Sequence, residues 1–432
     1  MYKVLLINPW VYDFAAVNMW SRPLGLLKVA EYMSGFEVEL HFIDCMDAVK
    51  KTKPFGMAKY PKTILPTPEP LKDIKRRYGR YGIGIDEFQR RLEEIGEVDL
   101  IFITSIMTYW YPGVVEAVRL CKKHHPSTPV VVGGIYASLC YDHATKHTGA
   151  DFVYRGRVND SILSIIEGFG IKLKRRKGLT PYYRLPFYKR TVYSPILTSE
   201  GCPFRCAYCA SAVLWDGFSQ REPDDVIREI EYLHRRGVKD IAFYDDALLV
   251  GSDTHLKPIL REIIGRGFNL RFHTPNGIHA RFIDEETAHL MKRAGFVTLR
   301  LSLETVNPLR QASTGGKVYN DEFAQSVNIL KGAGFRKEHI GVYLMYGLPG
   351  QELKEVKEGV EFLMGLQVRV HLAEFSPIPG TGCWEELVKK GVLTEDLDPL
   401  LTNNTVFSLL FCDYSLSELR MLKSQVSEYN RL

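Results

Sequence analysis

Short apolar runs alternate with longer amphipathic stretches along almost the whole chain. A short apolar run bounded by turn residues reads as a buried strand, and apolar positions at helical spacing read as a helix packed on a sheet. In the first block, strands are expected at Lys3–Asn8, Val38–Ile43, Leu100–Thr104, Val130–Val132 and Phe152–Tyr154, with helices near Leu24–Met33 and Gly113–His124. That alternation predicts an α/β fold with a doubly wound, Rossmann-like sheet, which binds ligands at the carboxyl ends of its strands. In the second block, strands are expected at Pro195–Thr198, Asp240–Tyr244, Asn269–His273, Val297–Ser302, Ile340–Tyr346 and Arg369–Glu374. Helices between them are expected at Pro223–Arg236, Thr254–Gly265, Asp284–Ala294, Asn320–Gly332 and Glu352–Leu366. Consecutive βα units of this kind predict a partial (β/α)6 barrel of TIM type, with its chemistry at the strand carboxyl ends.

The blocks give a domain plan. Residues 1–165 form the sheet domain, 166–193 a linker, 194–382 the barrel and 383–432 a helical C-terminal region. The segment Lys50–Gly82, rich in Pro, Lys and Tyr, breaks the pattern and reads as a solvated surface insertion in preference to a lid. Lys172–Tyr193 carries two prolines and many charges without a period, which suits a linker.

Composition adds bounds. A chain of 432 residues exceeds what one core usually serves. Its 45% hydrophobic and 25% charged content is ordinary for a globular protein. The net charge of +5 is concentrated at residues 50–80 and 172–190, a bias that could attract an anionic partner but is too weak to name nucleic acid. No stretch approaches the roughly 18 apolar residues of a membrane span, and the opening apolar run is too short for a signal peptide. A cytoplasmic protein without a membrane partner is expected. Three of the eight cysteines crowd residues 202–209 and the others are scattered, unlike a disulfide framework.

Residues 200–209 read EGCPFRCAYC, which spaces Cys202, Cys206 and Cys209 as Cys-x3-Cys-x2-Cys directly after the first barrel strand. Thiolates are soft ligands for iron–sulfur clusters or zinc. Structural zinc wants four protein ligands, and no fourth stands at ligand spacing. A cubane on three cysteines leaves one iron open. The motif, with Tyr208 before the last cysteine, resembles that of the radical S-adenosylmethionine superfamily. The resemblance implies a [4Fe–4S] cluster whose open iron takes the amino and carboxylate groups of S-adenosylmethionine, and a 5′-deoxyadenosyl radical on its reductive cleavage. It extends to Asp245 and Asp246, which stand where the family often has Gly-Gly-Glu, and to Ser302 and Glu304 in LRLSLET. It reaches Lys317 in Gly-Gly-Lys and Gly347 in the turn GLPGQE. These are candidate contacts to the cosubstrate. A helix cap at the Asp pair, a solvated lysine and a plain glycine turn are the alternative readings. Asn276, His279 and Arg281 after the third strand could also face the cavity.

The first block resembles the cobalamin-binding domain fused to many members of that superfamily, the class B-like subgroup, through NPW, PLGLL and VVVGGIYAS. The resemblance implies that Asn8, Pro9, Asp44, Ser105, Tyr109, Gly133 and Gly134 lie where a corrin rests. Two departures stand out. The Asp-x-His-x-x-Gly motif for a lower histidine ligand is absent, Asp142-His143 having the wrong spacing, and the usual acidic end of the domain is Gly156-Arg157-Val158-Asn159.

These resemblances imply a cobalamin-dependent radical methyltransferase acting on an unactivated carbon, supplied with electrons by a donor such as flavodoxin or ferredoxin. The alternatives are a cobalamin-free radical enzyme performing cyclisation or rearrangement, and a non-catalytic corrinoid or iron–sulfur sensor. A methylthiotransferase would carry further clustered cysteines, which Cys45, Cys121 and Cys140 do not supply. The substrate and the oligomeric state are not legible.

Overall fold

A computed structural model describes residues 1–48, 51–52, 54–188 and 191–432. Lys50, at the start of the expected insertion, and Lys189 and Arg190 in the expected linker lie outside the described residues. The chain divides into two compact units, Met1–Arg190 with Asp396–Asn403, and Thr191–Glu395 with Asn404–Leu432.

The first unit is built on five parallel strands, β1 (Tyr2–Asn8), β2 (Val38–Asp44), β3 (Leu100–Ile103), β4 (Val130–Val132) and β5 (Phe152–Val153). Their spatial order is β2-β1-β3-β4-β5. The order reverses between β1 and β3, and a doubly wound sheet opens its ligand crevice at that reversal. Val4, Leu5, Leu6 and Ile7 are all wholly buried. Leu5 and Ile7 pack with Phe88 and Leu92 on one face, and Val4 and Leu6 with Leu26, Ala30 and Met33 on the other. Burial on both faces is why β1 reads as a continuous apolar run with no polar alternation.

Two expectations for this unit change. Part of Lys50–Gly82 is paired: Lys62–Ile64 and Gly79–Tyr81 form a three-stranded antiparallel sheet with Val11–Asp13, and Leu71, Ile74 and Tyr78 are buried. The apolar residues of the insertion are too sparse to show a period, yet enough to form a small core with the residues just after β1. The expected linker also folds onto this unit. Ile171 joins the core beside β1, Leu173, Leu185 and Phe187 pack against it, Phe36 bridges Arg175, and Tyr188 donates to Asp44 at 2.7 Å. Its lysines and arginines hide this apolar content from a composition reading.

The second unit carries six parallel strands in chain order, β6 (Tyr193–Ile196), β7 (Asp240–Phe243), β8 (Arg271–His273), β9 (Phe296–Glu304), β10 (Ile340–Tyr346) and β11 (Arg369–Glu374). Helices Pro223–Arg235, Leu256–Gly265, Glu285–Ala294, Asn320–Gly332 and Leu353–Gly365 connect them. Leu299, Leu301 and Leu303 of β9, Val342 and Leu344 of β10 and Val370 of β11 face the helices and form the core with them. The alternate residues face inward. The C-terminal region is mostly helical, at Gly382–Lys389, Asn404–Leu410 and Leu416–Tyr429, although Asp396–Asn403 belongs to the first unit. No helix among the described residues is long and apolar enough to cross a membrane.

Candidate functional site

The three cysteines sit on a clamped loop between β6 and a short helix, Ser211–Leu214. Ser199–Glu200 pairs with Ser219–Gln220 at its base. Gly201 holds φ +76°, and a Cβ there would lie 1.9 Å from the Gly217 carbonyl oxygen, so only glycine lets the chain pass. The tip is held on two sides: Ala207 N donates to Thr314 O at 3.0 Å, and Cys383 N donates to Ala207 O at 2.8 Å. Gly315 closes over it, since a Cβ at Gly315 would stand 3.1 Å from Cys206 Cα.

Cys202 and Cys206 are half-buried, none of the three is bridged, and Cys209 is the most exposed as a residue although the protein around its Sγ still strips away much of its water. Ser211 N donates to Cys209 Sγ at 3.4 Å. Burial raises the Cys202 thiol and pushes that of Cys209 up to about 11, with Cys206 and Asp246 adding to the rise and Lys317 opposing it. Tyr208 stands between Cys206 and Glu304, and burial, then Glu304 and Cys206, drives its phenol far above the ordinary range.

The carboxyl ends of β7 and β9 bring the other groups. Ser211 Oγ donates to Asp246 Oδ2 at 2.8 Å. Burial raises the Asp246 carboxyl, and Lys317 holds it back. Glu304 ends β9 at a register shift with φ +68°, a strained conformation for a non-glycine residue. Lys317 Nζ lies 3.5 Å from Glu304 Oε1. Ser302 is buried against Gly277, where a Cβ would fall 1.8 Å from its hydroxyl oxygen.

Neighbours in sequence part company here. Asp245 points into the wall, where its Oδ1 accepts four bonds of 2.6–2.9 Å from the amides and hydroxyls of Thr198 and Ser199. Its Oδ2 is buried without a partner, and burial raises its carboxyl despite those donors. Asp245 therefore braces the start of the cysteine loop, while Asp246 accepts from Ser211 and feels the charge of Lys317. Gly347, at φ +88°, is covered: its N–H goes to Tyr414 Oη at 3.0 Å, and its carbonyl accepts from Cys412 Sγ at 3.8 Å. Asn276 donates to Tyr244 O at 2.8 Å, Phe204 of the cysteine loop lies 4.9 Å from the His279 ring, and Arg281 pairs with Glu322 at 3.0 Å. Thr198, Ser199, Ser211 and Gly277 escaped the sequence reading, because small polar residues and lone glycines carry no motif of their own.

The donor set fits the implied cofactors. Soft thiolates on a rigid loop suit an iron–sulfur cubane. A cation beside carboxylates suits the zwitterionic end of an amino-acid cosubstrate. Among the described residues no three His, Cys, Asp or Glu side chains gather around a single ion, and a cubane asks each thiolate to meet its own iron. A broad concavity of about 690 Å³ lies elsewhere, on the outer helices, lined by Glu285, His289 and Asp321 among others, and holds none of these groups.

At the carboxyl edge of the first unit, Asn8 Nδ2 donates to Asp44 Oδ1 at 2.6 Å. Asp44 also accepts from Met46 N at 2.9 Å and faces Arg22 at 3.7 Å. Ser105 Oγ donates to Gly133 O at 2.8 Å and accepts from Tyr136 N at 3.1 Å. Tyr109 is buried edge-on against Trp110. Pro9, Asn8 and Ser105 line a space of about 20 Å³, room for about one water. Gly134 needs its φ of +93°, since a Cβ there would lie 2.4 Å from Ser105 O, whereas Gly133 opens outward, with only Tyr154 O at 3.8 Å. The polar groups and the tight Gly134 turn brace the edge, and Gly133 leaves it bare on its outer side, which fits a broad, flat ligand such as a corrin. His143 bonds Tyr136 Oη through Nδ1 at 2.6 Å and stacks on His147. Burial pushes it down to about 4.

Comparison with known proteins agrees with this layout. Residues 196–363 match the model of the radical SAM superfamily, and residues 76–165 that of the B12 binding domain. An uncharacterized methyltransferase of Pyrococcus horikoshii is 26% identical over 335 residues, 68% of this chain and 70% of that protein. The hopanoid C-2 methylase of Rhodopseudomonas palustris is 22% identical over 303 residues, 64% of this chain and 56% of that protein. The chain thus spans little more than half of that methylase. The fold is that of the radical S-adenosylmethionine methyltransferase TsrM from Kitasatospora setae, with a TM-score of 0.65 at 20% identity, over 90% of this chain and 76% of that one. The radical SAM domain implies a [4Fe–4S] cluster, S-adenosylmethionine and a source of electrons, and the B12 domain implies cobalamin. One chain thus carries a radical SAM domain over residues 196–363 and a B12 binding domain over residues 76–165.

Proposed function

We propose that the protein is a cobalamin-dependent methyltransferase that acts on an unactivated carbon. The observation that carries this reading is the pairing, in one chain, of a three-cysteine loop faced by Lys317, Asp246 and Glu304 with a B12-binding sheet whose carboxyl edge is left bare at Gly133. When bound, the cluster and S-adenosylmethionine supply a carbon-centred radical, and cobalamin supplies a methyl carrier.

The chain's own residues place and shield these groups. Cys202, Cys206 and Cys209 hold the cluster. Lys317 attracts the cosubstrate carboxylate, and Asp246 or Glu304 accepts from its ammonium. Tyr208 and Ser302 wall the same space, and Asp245 positions the loop from behind through Thr198 and Ser199. Gly347 serves the turn that the C-terminal region covers. On the first unit, Asn8, Pro9, Asp44, Ser105, Tyr109 and Gly134 would brace the edge that receives the corrin, and Gly133 would offer it bare backbone. His143, committed to Tyr136, gives cobalt no ligand. Electrons come from a low-potential donor such as flavodoxin or ferredoxin, in the cytoplasm.

The test is anaerobic reconstitution with iron, sulfide and hydroxocobalamin, followed by metal counts and an ultraviolet–visible spectrum. Four irons and one cobalt per chain are expected, and a cluster without cobalt uptake would favour the cobalamin-free alternative.

A further inference from the structure

Three strands of the second unit turn a set of charged and polar residues away from the helices. Arg300 of β9 and Arg369 of β11 stand in register on either side of Gly341 of β10. Farther toward the strand carboxyl ends, Tyr343 sits in register between Ser302 and His371. A Cβ on Gly341 would lie 2.6 Å from Arg300 Nη1 and 2.6 Å from His371 Nε2. The absence of a side chain there lets the guanidinium and the imidazole converge over bare backbone.

The convergence is unbalanced. Arg300 donates to its neighbour Leu299 O at 3.2 Å and meets Tyr343, whose hydroxyl donates to Pro275 O at 2.8 Å. Neither Arg300 nor Arg369 forms an ion pair with a carboxylate among the described residues. The Glu304 carboxylate lies further along β9, beside Lys317. His371 Nε2 is buried with no hydrogen-bond partner. Burial, and then Arg369, holds the Arg300 guanidinium below its ordinary value, while burial, Arg300 and Arg369 push His371 down to about 3. Partly buried cations without a counter-charge are costly, and a guanidinium fork matches the oxygens of a carboxylate or phosphate.

We propose that this inner face is an oxyanion site, in which Arg300, Arg369 and His371 receive a carboxylate or phosphate group carried by the substrate. Calling the carrier the substrate rests on the methyltransferase reading, whereas anion binding does not. The substrate class is then an anionic molecule whose charged end docks deep in the barrel while its reacting carbon lies toward the cysteine loop.

The test is the thermal midpoint of the anaerobically reconstituted full chain, titrated with inorganic phosphate or with succinate against chloride at equal ionic strength. The wild type should show a rise beyond chloride with at least one of the two, and the effective anion tells phosphate from carboxylate. Arg300→Gln and Arg369→Gln should each raise the anion concentration needed by about tenfold or more. Gly341→Ala should do the same with both arginines intact, which keeps the test open if one arginine variant does not fold. S-adenosylmethionine affinity should be unchanged in Arg300→Gln. No specific rise, or a rise kept in all three variants, overturns the site. A matching loss of S-adenosylmethionine affinity overturns the substrate assignment and gives the pocket to the cosubstrate's own carboxylate. A failure of methyl transfer would leave the anion result standing, so the two readings fail separately.

Discussion

Lys317 Nζ and Glu304 Oε1 stand 3.5 Å apart, with side chains only 15% and 12% exposed. Charge-assisted bonds usually close to about 2.7–2.9 Å, so this pair is set slightly open. Each partner keeps capacity for a ligand, and a zwitterion carries the two complementary charges. The strained backbone of Glu304 fixes one half of the pair, and the Gly315-Gly316 turn carries the other.

From that relationship, Glu304→Gln and Lys317→Met should each weaken S-adenosylmethionine binding by about 1.5–3 kcal/mol, roughly tenfold to a hundredfold, with iron content unchanged. Equilibrium binding to the reconstituted protein reads this directly. Wild-type affinity in both variants would remove the pair from the site.

Single Cys→Ala changes at 202, 206 and 209 should each abolish the cluster's absorbance and the formation of 5′-deoxyadenosine, because each thiolate holds its own iron. Cys412→Ala, whose thiol donates to the Gly347 carbonyl at 3.8 Å, should keep wild-type iron. A triple variant that retained full iron and still cleaved the cosubstrate would place the cluster elsewhere.

Two glycines should separate stability from binding. Gly201→Ala drives a Cβ into the Gly217 carbonyl at a positive φ, where nothing flexible can yield, and should cost about 1–3 kcal/mol and lower cluster occupancy. Gly277→Ala meets the Ser302 hydroxyl, which can rotate away, and leaves a tight contact of 3.0 Å with Ser302 Cβ. It should cost less stability and show its effect chiefly as weaker cosubstrate binding. Denaturant midpoints and iron counts on both variants check the split. Equal effects on both readouts would contradict it.

The buried Asp245 sets a pH dependence. Its folded carboxyl is raised by burial, so the native state holds that proton to higher pH than the unfolded chain does. Its contribution to stability is greatest below the unfolded value of about 4 and falls as pH climbs through the raised folded value. The stability difference between wild type and Asp245→Asn, followed by urea midpoints from about pH 4 to 8, should move in favour of the variant as pH rises. A difference independent of pH would show that the carboxyl is not raised.

Much of this was legible because it is local. The cysteine spacing lies within one loop, and β9, β10 and β11 announce themselves through leucines and valines that pack on helices. What was not legible depends on direction. Asp245 and Asp246 are adjacent and chemically identical, yet the end of β7 sends one into the wall and the other toward Lys317. The same holds for residues 171–188, where Ile171, Leu185 and Phe187 reach the sheet from a segment that reads as charged linker. Gly347 shows the converse, since its motif is plain in the sequence while the Tyr414 hydroxyl that covers it lies 67 residues away.

The most direct test of the central claim is a product assay on the cobalamin-loaded, cluster-loaded chain, given S-adenosylmethionine, a reductant and candidate anionic substrates. Methyl transfer to an unactivated carbon uses one cosubstrate as methyl donor and a second as radical source. S-adenosylhomocysteine and 5′-deoxyadenosine should therefore both accumulate with methylated product, in about equal amounts. Turnover that yields 5′-deoxyadenosine alone, with an unmethylated product and no cobalamin uptake, would contradict the methyltransferase account.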